Sequence, residues 1–169
     1  MTNQLAQAIV KIGDDDGLRE VLTQVQQLTG MRFSAIAYVS DDRWVASLVD
    51  DNLEFGLAAG DELDVRKTIC TEVRRDSCEV LIDDTEAVAL WSTHEVPQLF
   101  GFRSYLSVPI LIGGSFFGTL CALDREPRSR SLAEVRDQIL TLAAEASQRV
   151  MQRMHADLGG RSPGFAASQ

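Results

Sequence analysis

Residues 104–112 read SYLSVPILI, Gly113-Gly114-Ser115 follows, and residues 116–123 read FFGTLCAL. Two apolar runs around a glycine pair fold back as an antiparallel hairpin, because glycine supplies the positive φ of a tight turn. A second pair points the same way: FSAIAYV at 33–39, the polar turn Ser40-Asp41-Asp42, then RWVASLV at 43–49. The chain is therefore expected to fold around an antiparallel sheet. Pro109 cannot donate to a ladder, which predicts an edge or bulged position for its strand.

Helices flank the hairpins. Leu5, Ile9 and Ile12 have helical spacing. The stretch Gly13-Asp14-Asp15-Asp16-Gly17 breaks that helix and offers carboxylates as N-caps for the next one, whose face is Leu18, Val21, Leu22, Val25 and Leu28 and whose end is Gly30. Residues 52–64 read as a loop. Thr68 is placed as the cap of a short helix over 68–75, and Val80, Leu81 and Ile82 make a short strand. Residues 83–101 predict short helices and irregular chain, a length usually reserved for functional segments. Ser131 caps a last helix whose stripe is Leu132, Val135, Ile139, Leu142, Ala146 and Val150. The expected class is α+β: five to six antiparallel strands, the N- and C-terminal helices on one face, and a long loop with short helices over the other. One domain is expected over 1–157, with a flexible tail over 158–169.

The net charge of −9, from 25 acidic and 16 basic residues, repels phosphate backbones, so neither nucleic acid nor an anionic membrane is an expected partner. No apolar run reaches the roughly 18 residues of a membrane span, and residues 1–11 lack a basic start followed by an apolar core. The expected location is cytoplasmic. Cys70, Cys78 and Cys121 have no metal-like spacing and read as free thiols in a reducing compartment.

Four stretches resemble the GAF domains found at the N-terminus of bacterial sensor histidine kinases: DDRWVASLVDD at 41–51, TICTEVRRDSCEVLIDD at 68–84, FGFRSYLSVPI at 100–110 and SFFGTLCALD at 115–124. The likeness extends over residues 5–155. It implies a sensory module rather than an enzyme, with a small molecule held between the sheet and the 83–101 loop. Nothing after Asp157 reads as a phosphoacceptor helix or an ATP-binding domain, so the expectation is either a freestanding sensor or the sensory piece of a longer protein, read by a histidine kinase or another fused or bound signalling partner.

On that placement the loop brings Trp91, His94, Pro97 and Phe100 over Ser107, Leu120 and Ala122, if strand alternation is unbroken. His94 is placed to hydrogen-bond a ligand carbonyl or carboxylate. Thr93 precedes it where bilin-binding relatives have cysteine, which excludes covalent attachment by that route. Asp64 matches the first residue of the Asp-Ile-Pro motif of phytochromes, but Val65-Arg66 departs from it, so non-covalent tetrapyrrole binding stays only as an alternative. The phosphate- and base-contacting pattern of cyclic-nucleotide GAF domains is missing.

Cys70 lies in a helix comparable to one in the free methionine sulfoxide reductases, so a thiol enzyme is a further alternative. The 83–101 loop has no second thiol to resolve a sulfenic acid, and Cys121 reads as a small core residue. The carboxylates at 14–16 and 83–84 read as caps and solvated groups rather than a metal site. The ligand set expected from all this is Trp91, His94, Phe100, Asp64, Cys70, Ser107 and Leu120, with no catalytic or metal residues and an unknown cofactor. A homodimer is expected through Leu5, Ile9 and Ile12 packing on Val135, Leu142 and Val150, with ligand biasing two packings of that bundle. A non-catalytic scaffold with a filled pocket is the remaining alternative.

Overall fold

The computed structural model describes residues 3–65 and 68–158. Helices α1 (Asn3–Gly13) and α2 (Asp16–Thr29) precede strands β1 (Phe33–Val39), β2 (Trp44–Asp51) and β3 (Glu62–Leu63). Helix α3 (Cys70–Asp76), strand β4 (Val80–Ile82) and two short helices, α4 (Ala89–Ser92) and α5 (Glu95–Phe100), follow. Strands β5 (Ser104–Ile112) and β6 (Ser115–Asp124) then lead, through a 3-10 turn at Leu132–Val135, into α6 (Arg136–Leu158). The six strands form one antiparallel sheet in the order β3-β2-β1-β6-β5-β4. This is the α+β architecture expected from the hairpins.

The capping expectations hold for α2 and for the start of the last helix. Asp15 accepts from the Leu18 N–H at 3.0 Å, and Gly30 closes α2 in the left-handed region at φ 76°. Ser131 accepts from the Ala133 N–H, although the turn it opens is 3-10 before it becomes α. The Asp15 carboxylate also takes both arms of Arg149 on α6, at 3.0 and 2.9 Å. Asp15→Ala removes the cap and frees that contact, so its expected cost is about 1.5 kcal/mol. At this chain length that lowers Tm by about 4 °C. A calorimetric scan reading less than about 1 °C would exclude this role for the cap.

Other local readings are corrected. Thr68 does not cap α3; its hydroxyl donates to the Val65 carbonyl at 2.8 Å, and Ile69 stands at the cap position without a side-chain bond. The 52–64 loop contains β3, two residues that pair with Trp44 and Val45. Pro109 is not on an edge strand, but it lies in the half of β5 beyond β4, which reaches only Tyr105 to Ser107. Helix α6 runs one residue past the expected boundary, and the remainder of the expected tail, 159–169, lies outside the described residues.

The sheet has two covered faces. Ile36, Val45, Leu106, Val108, Leu120 and Ala122 point to α1, α2 and α6 and form the main core with Ile9, Ile12, Leu22, Val25, Ile139 and Val150. This placement corrects the expected dimer interface. Ile9, Ile12, Val135, Leu142 and Val150 are buried within the protomer and offer nothing to a second copy in this conformation. Leu5 is half-buried against the same core. The amphipathic stripes are present, but the sheet takes them up.

Candidate functional site

The opposite face of the sheet carries the chemistry. Alternation along the strands turns Phe33, Trp44, Tyr105, Ser107, Thr119, Cys121 and Leu123 away from the helix layer. The 53–57 loop, the start of α3 and helix α5 cover them. A cavity of about 40 Å³ lies between these layers, lined almost wholly by apolar groups, with Phe33, Trp44, Phe55, Phe100, Phe102 and Tyr105 as its aromatic wall. Phe55 packs on Phe33 at 5.2 Å and on Phe100 at 6.0 Å, and Phe102 stacks on Tyr105 at 5.2 Å. Ligand pockets for drug-sized molecules run from about 300 Å³ upward, so this conformation admits only a molecule of a few heavy atoms.

Cys70 and Cys121 both line this cavity and both are buried. The indole N–H of Trp44 donates to the Cys70 sulfur at 3.4 Å. The hydroxyls of Thr119 and Tyr105 lie 3.2 and 3.5 Å from it, and that of Ser107 3.8 Å. Cys121 pairs with Ser107 across the sheet and so lies on the same face beside Cys70. The Cys121 S–H lowers the Cys70 pKa most; burial raises it, and Thr119, Tyr105 and Trp44 lower it again, leaving it below its ordinary 9.0. Cys121 moves the other way, because its bond to Cys70, burial and the neighbouring charge all favour its neutral thiol. Burial and the two sulfurs likewise raise Tyr105.

Three of the expected ligand residues meet at this place. Phe100 and Cys70 line the cavity, and Ser107 lies on the same face beside Cys70. Leu120 does not: it is buried in the core on the helix side, and Ala122 with it. The reason is a bulge. Ile112 pairs with Ser115 and Leu111 with Phe116, but Ile110 pairs with Gly118, which leaves Phe117 as an extra residue in β6. An unbroken register would set Leu120 opposite Ser107; the bulge sets Cys121 there instead.

The remaining expected residues lie outside the cavity lining. Trp91 packs at the edge of the same cluster and otherwise lines a surface cleft with Thr85, Glu86, Pro97 and Arg103. His94 is the N-cap of α5: its Nδ1 accepts from the Val96 N–H at 3.1 Å, with the ring 5.1 Å from that of Trp91. Asp64 is exposed after β3, while its neighbour Leu63 reaches the cavity. Sequence reasoning missed Trp44, Tyr105, Thr119 and Cys121.

The acidic pairs are structural. Asp84 takes both arms of Arg103 at 2.9 Å, which with burial acting the other way and the Glu86 N–H holds its carboxyl below the usual range. Asp83 accepts from Ser131 and from the Leu132 N–H, at 2.9 and 2.7 Å, and so anchors the start of the last helix. Among the described residues no group of three or more His, Cys, Asp or Glu side chains is arranged to hold a metal, and no helix is long and apolar enough to cross a membrane.

Solved structures share this architecture. The GAF domain of an Acinetobacter phosphoenolpyruvate-protein phosphotransferase superposes with a TM-score of 0.65 at 16% identity, covering 93% of this chain and 98% of its own. The cyanobacteriochrome receptor PixJ, a cyanobacterial protein, gives 0.62 at 19% identity over 87% of this chain and 95% of its own. Free methionine-R-sulfoxide reductase from Neisseria meningitidis, solved with its substrate, gives 0.58 at 16% identity over 89% and 87%. At these identities the likeness is one of fold. A search of curated proteins finds no match. The family model described as GAF domain matches residues 15–154, the whole sheet included, and the chain belongs to the GAF domain family.

Proposed function

We propose that this domain is a cytoplasmic sensor in bacterial signal transduction and not an enzyme, binding a small apolar molecule between the sheet and the 83–101 segment. The observation that carries the reading is the aromatic cavity beneath a thin cover. Helix α4 buries none of its residues, α5 has six residues, and Val88, Leu90 and Leu99 on this segment are exposed. A cover with so few buried contacts opens at low cost, and a ligand larger than the cavity selects the opened form. Displacement at Tyr105, Cys121 or Leu123 passes through the same strands to Leu106, Leu120 and Ala122, which bear on α2 and α6. A second copy of the chain, a histidine kinase or another effector would read the outer faces of those helices.

The scaffold reading draws on one observation of its own, the small size of the cavity. A thermal-shift series with benzene, indole and short-chain alcohols separates the two. The sensor reading expects a saturable rise worth about 2.7 kcal/mol at a hundred times Kd. Phe100→Trp, filling the mouth at a half-buried site, is expected to abolish the rise while costing about 1 kcal/mol in the free protein. If no compound raises Tm, the domain is a scaffold.

A further inference from the structure

We propose that Cys70 and Cys121 form a reversible dithiol switch at the base of the cavity, oxidised by a small hydroperoxide to an intramolecular disulfide that ties α3 to β6. The switch needs the two thiols and the cavity, not a resident ligand, so it stands apart from the sensor reading above. Three observations carry it. The two sulfurs come from elements far apart in sequence, yet both are buried on one cavity, and Cys121 pairs across the sheet with Ser107, whose hydroxyl lies 3.8 Å from the Cys70 sulfur. Donors surround Cys70: an obligate N–H from Trp44 and the hydroxyls of Thr119 and Tyr105, the set that stabilises a thiolate and so a nucleophile. The cavity touching both sulfurs measures about 40 Å³, room for hydrogen peroxide and far too little for a glutathione-sized oxidant.

The chemistry closes without a further reactant. The Cys70 sulfur attacks the terminal oxygen of the hydroperoxide; an S–O bond forms, the O–O bond breaks, and the departing alkoxide takes the Cys70 proton and leaves as the alcohol, or as water from hydrogen peroxide. Cys121 then attacks the sulfenic sulfur. The S–S bond forms, the S–O bond breaks, and hydroxide leaves as water with the Cys121 proton. Two electrons pass from the sulfurs to the peroxide, and a dithiol reductant returns them.

Cys78 is exposed and would cloud the result, so the test uses the Cys78→Ser chain. The protein is treated with hydrogen peroxide, quenched in acid, unfolded in N-ethylmaleimide and mapped by mass spectrometry. The expected result is a peptide pair joined through Cys70 and Cys121, with no maleimide on either, restored to two adducts by dithiothreitol. Oxidised glutathione is expected to leave both thiols free. Cys121→Ser in the same background is expected to halt at a Cys70 sulfenic acid that dimedone, added with the denaturant, traps on unfolding; if that variant does not fold, the mapping of the parent chain decides. Two maleimide adducts after a peroxide dose that oxidises Cys78 in the unsubstituted protein would overturn the proposal. So would oxidation of both sulfurs without a link. Equal disulfide yield from oxidised glutathione would remove the size gate and overturn the hydroperoxide assignment.

Discussion

Gly118→Ala is expected to destabilise the domain by at least about 3 kcal/mol, and at 37 °C to leave little folded protein. Gly118 sits in β6 between two strands, paired with Tyr38 of β1 and Ile110 of β5, one residue after the bulge. A Cβ added there would lie 1.8 Å from the Ala37 carbonyl oxygen and 2.8 Å from its carbon. The obstacle is backbone in the middle of the sheet, so no side-chain rotation relieves it. Either the β1–β6 ladder opens, or the bulge migrates and turns Cys121 and Leu123 out of register. Gly114→Ala is the control. Gly114 has φ 84° but nothing within 4 Å of the added carbon, so that change strains only the turn, at about 1 kcal/mol. Urea midpoints for the two variants check the difference. Equal losses would show that contact at Gly118 is not what the position forbids.

The same bulge explains where sequence reading stops. Elements and layers were legible because they rest on local signals: the glycine pair after Ile112, the carboxylates before Leu18, the three- and four-residue steps from Leu132 to Val150. Facing is not local in this sense. One extra residue at Phe117 inverts every later side chain of β6, and nothing in SFFGTLCALD says that it is there. Alternation counted without it selects Leu120; the folded strand presents Cys121. The sequence marks Gly118 only as a glycine in a strand, a usual companion of bulges and close backbone approach.

One other residue and one pair of stripes were read correctly by type and misplaced by role. His94 is polar and aromatic in a functional segment, which fits a ligand contact as well as a helix cap; the choice depends on whether its ring turns to the sheet or back to the Val96 N–H. The Leu5, Ile9 and Ile12 stripe with that of Val135, Leu142 and Val150 fits a bundle between copies or a layer on a sheet. Periodicity gives the width of an apolar stripe, not what covers it.

Asp124→Ala is expected to cost about 3–5 kcal/mol at pH 7, because it strips a buried carboxylate from the cations gathered on it. Asp124 ends β6 fully buried. Its oxygens accept from the Arg32 backbone N–H at 3.0 Å, from Arg32 Nε and Nη2 at 2.9 and 2.8 Å, and from the Glu126 N–H at 2.9 Å, with Arg128 Nη2 at 3.8 Å. Burial pushes this carboxyl up, but the Arg32 guanidinium, the two backbone N–H groups and the Arg32 charge outweigh it and bring it from 3.8 to about 2. A folded-state value below the unfolded one means stability present above the unfolded value and lost as pH falls toward the folded one. The amount is about 2.5 kcal/mol, complete at pH 7 and disappearing between about pH 4 and pH 2. Asp51, Glu79 and Asp84 are also held low, so the acid limb of the wild type alone does not isolate Asp124. The difference between wild type and Asp124→Asn does, since both carry the other three. Urea unfolding at pH 7, 4, 3 and 2 should show that difference narrowing by about 2.5 kcal/mol. A difference constant with pH would mean that the carboxylate acts by shape and hydrogen bonding rather than by charge, and that the junction of β6, the start of β1 and the end of α2 does not depend on its ionisation.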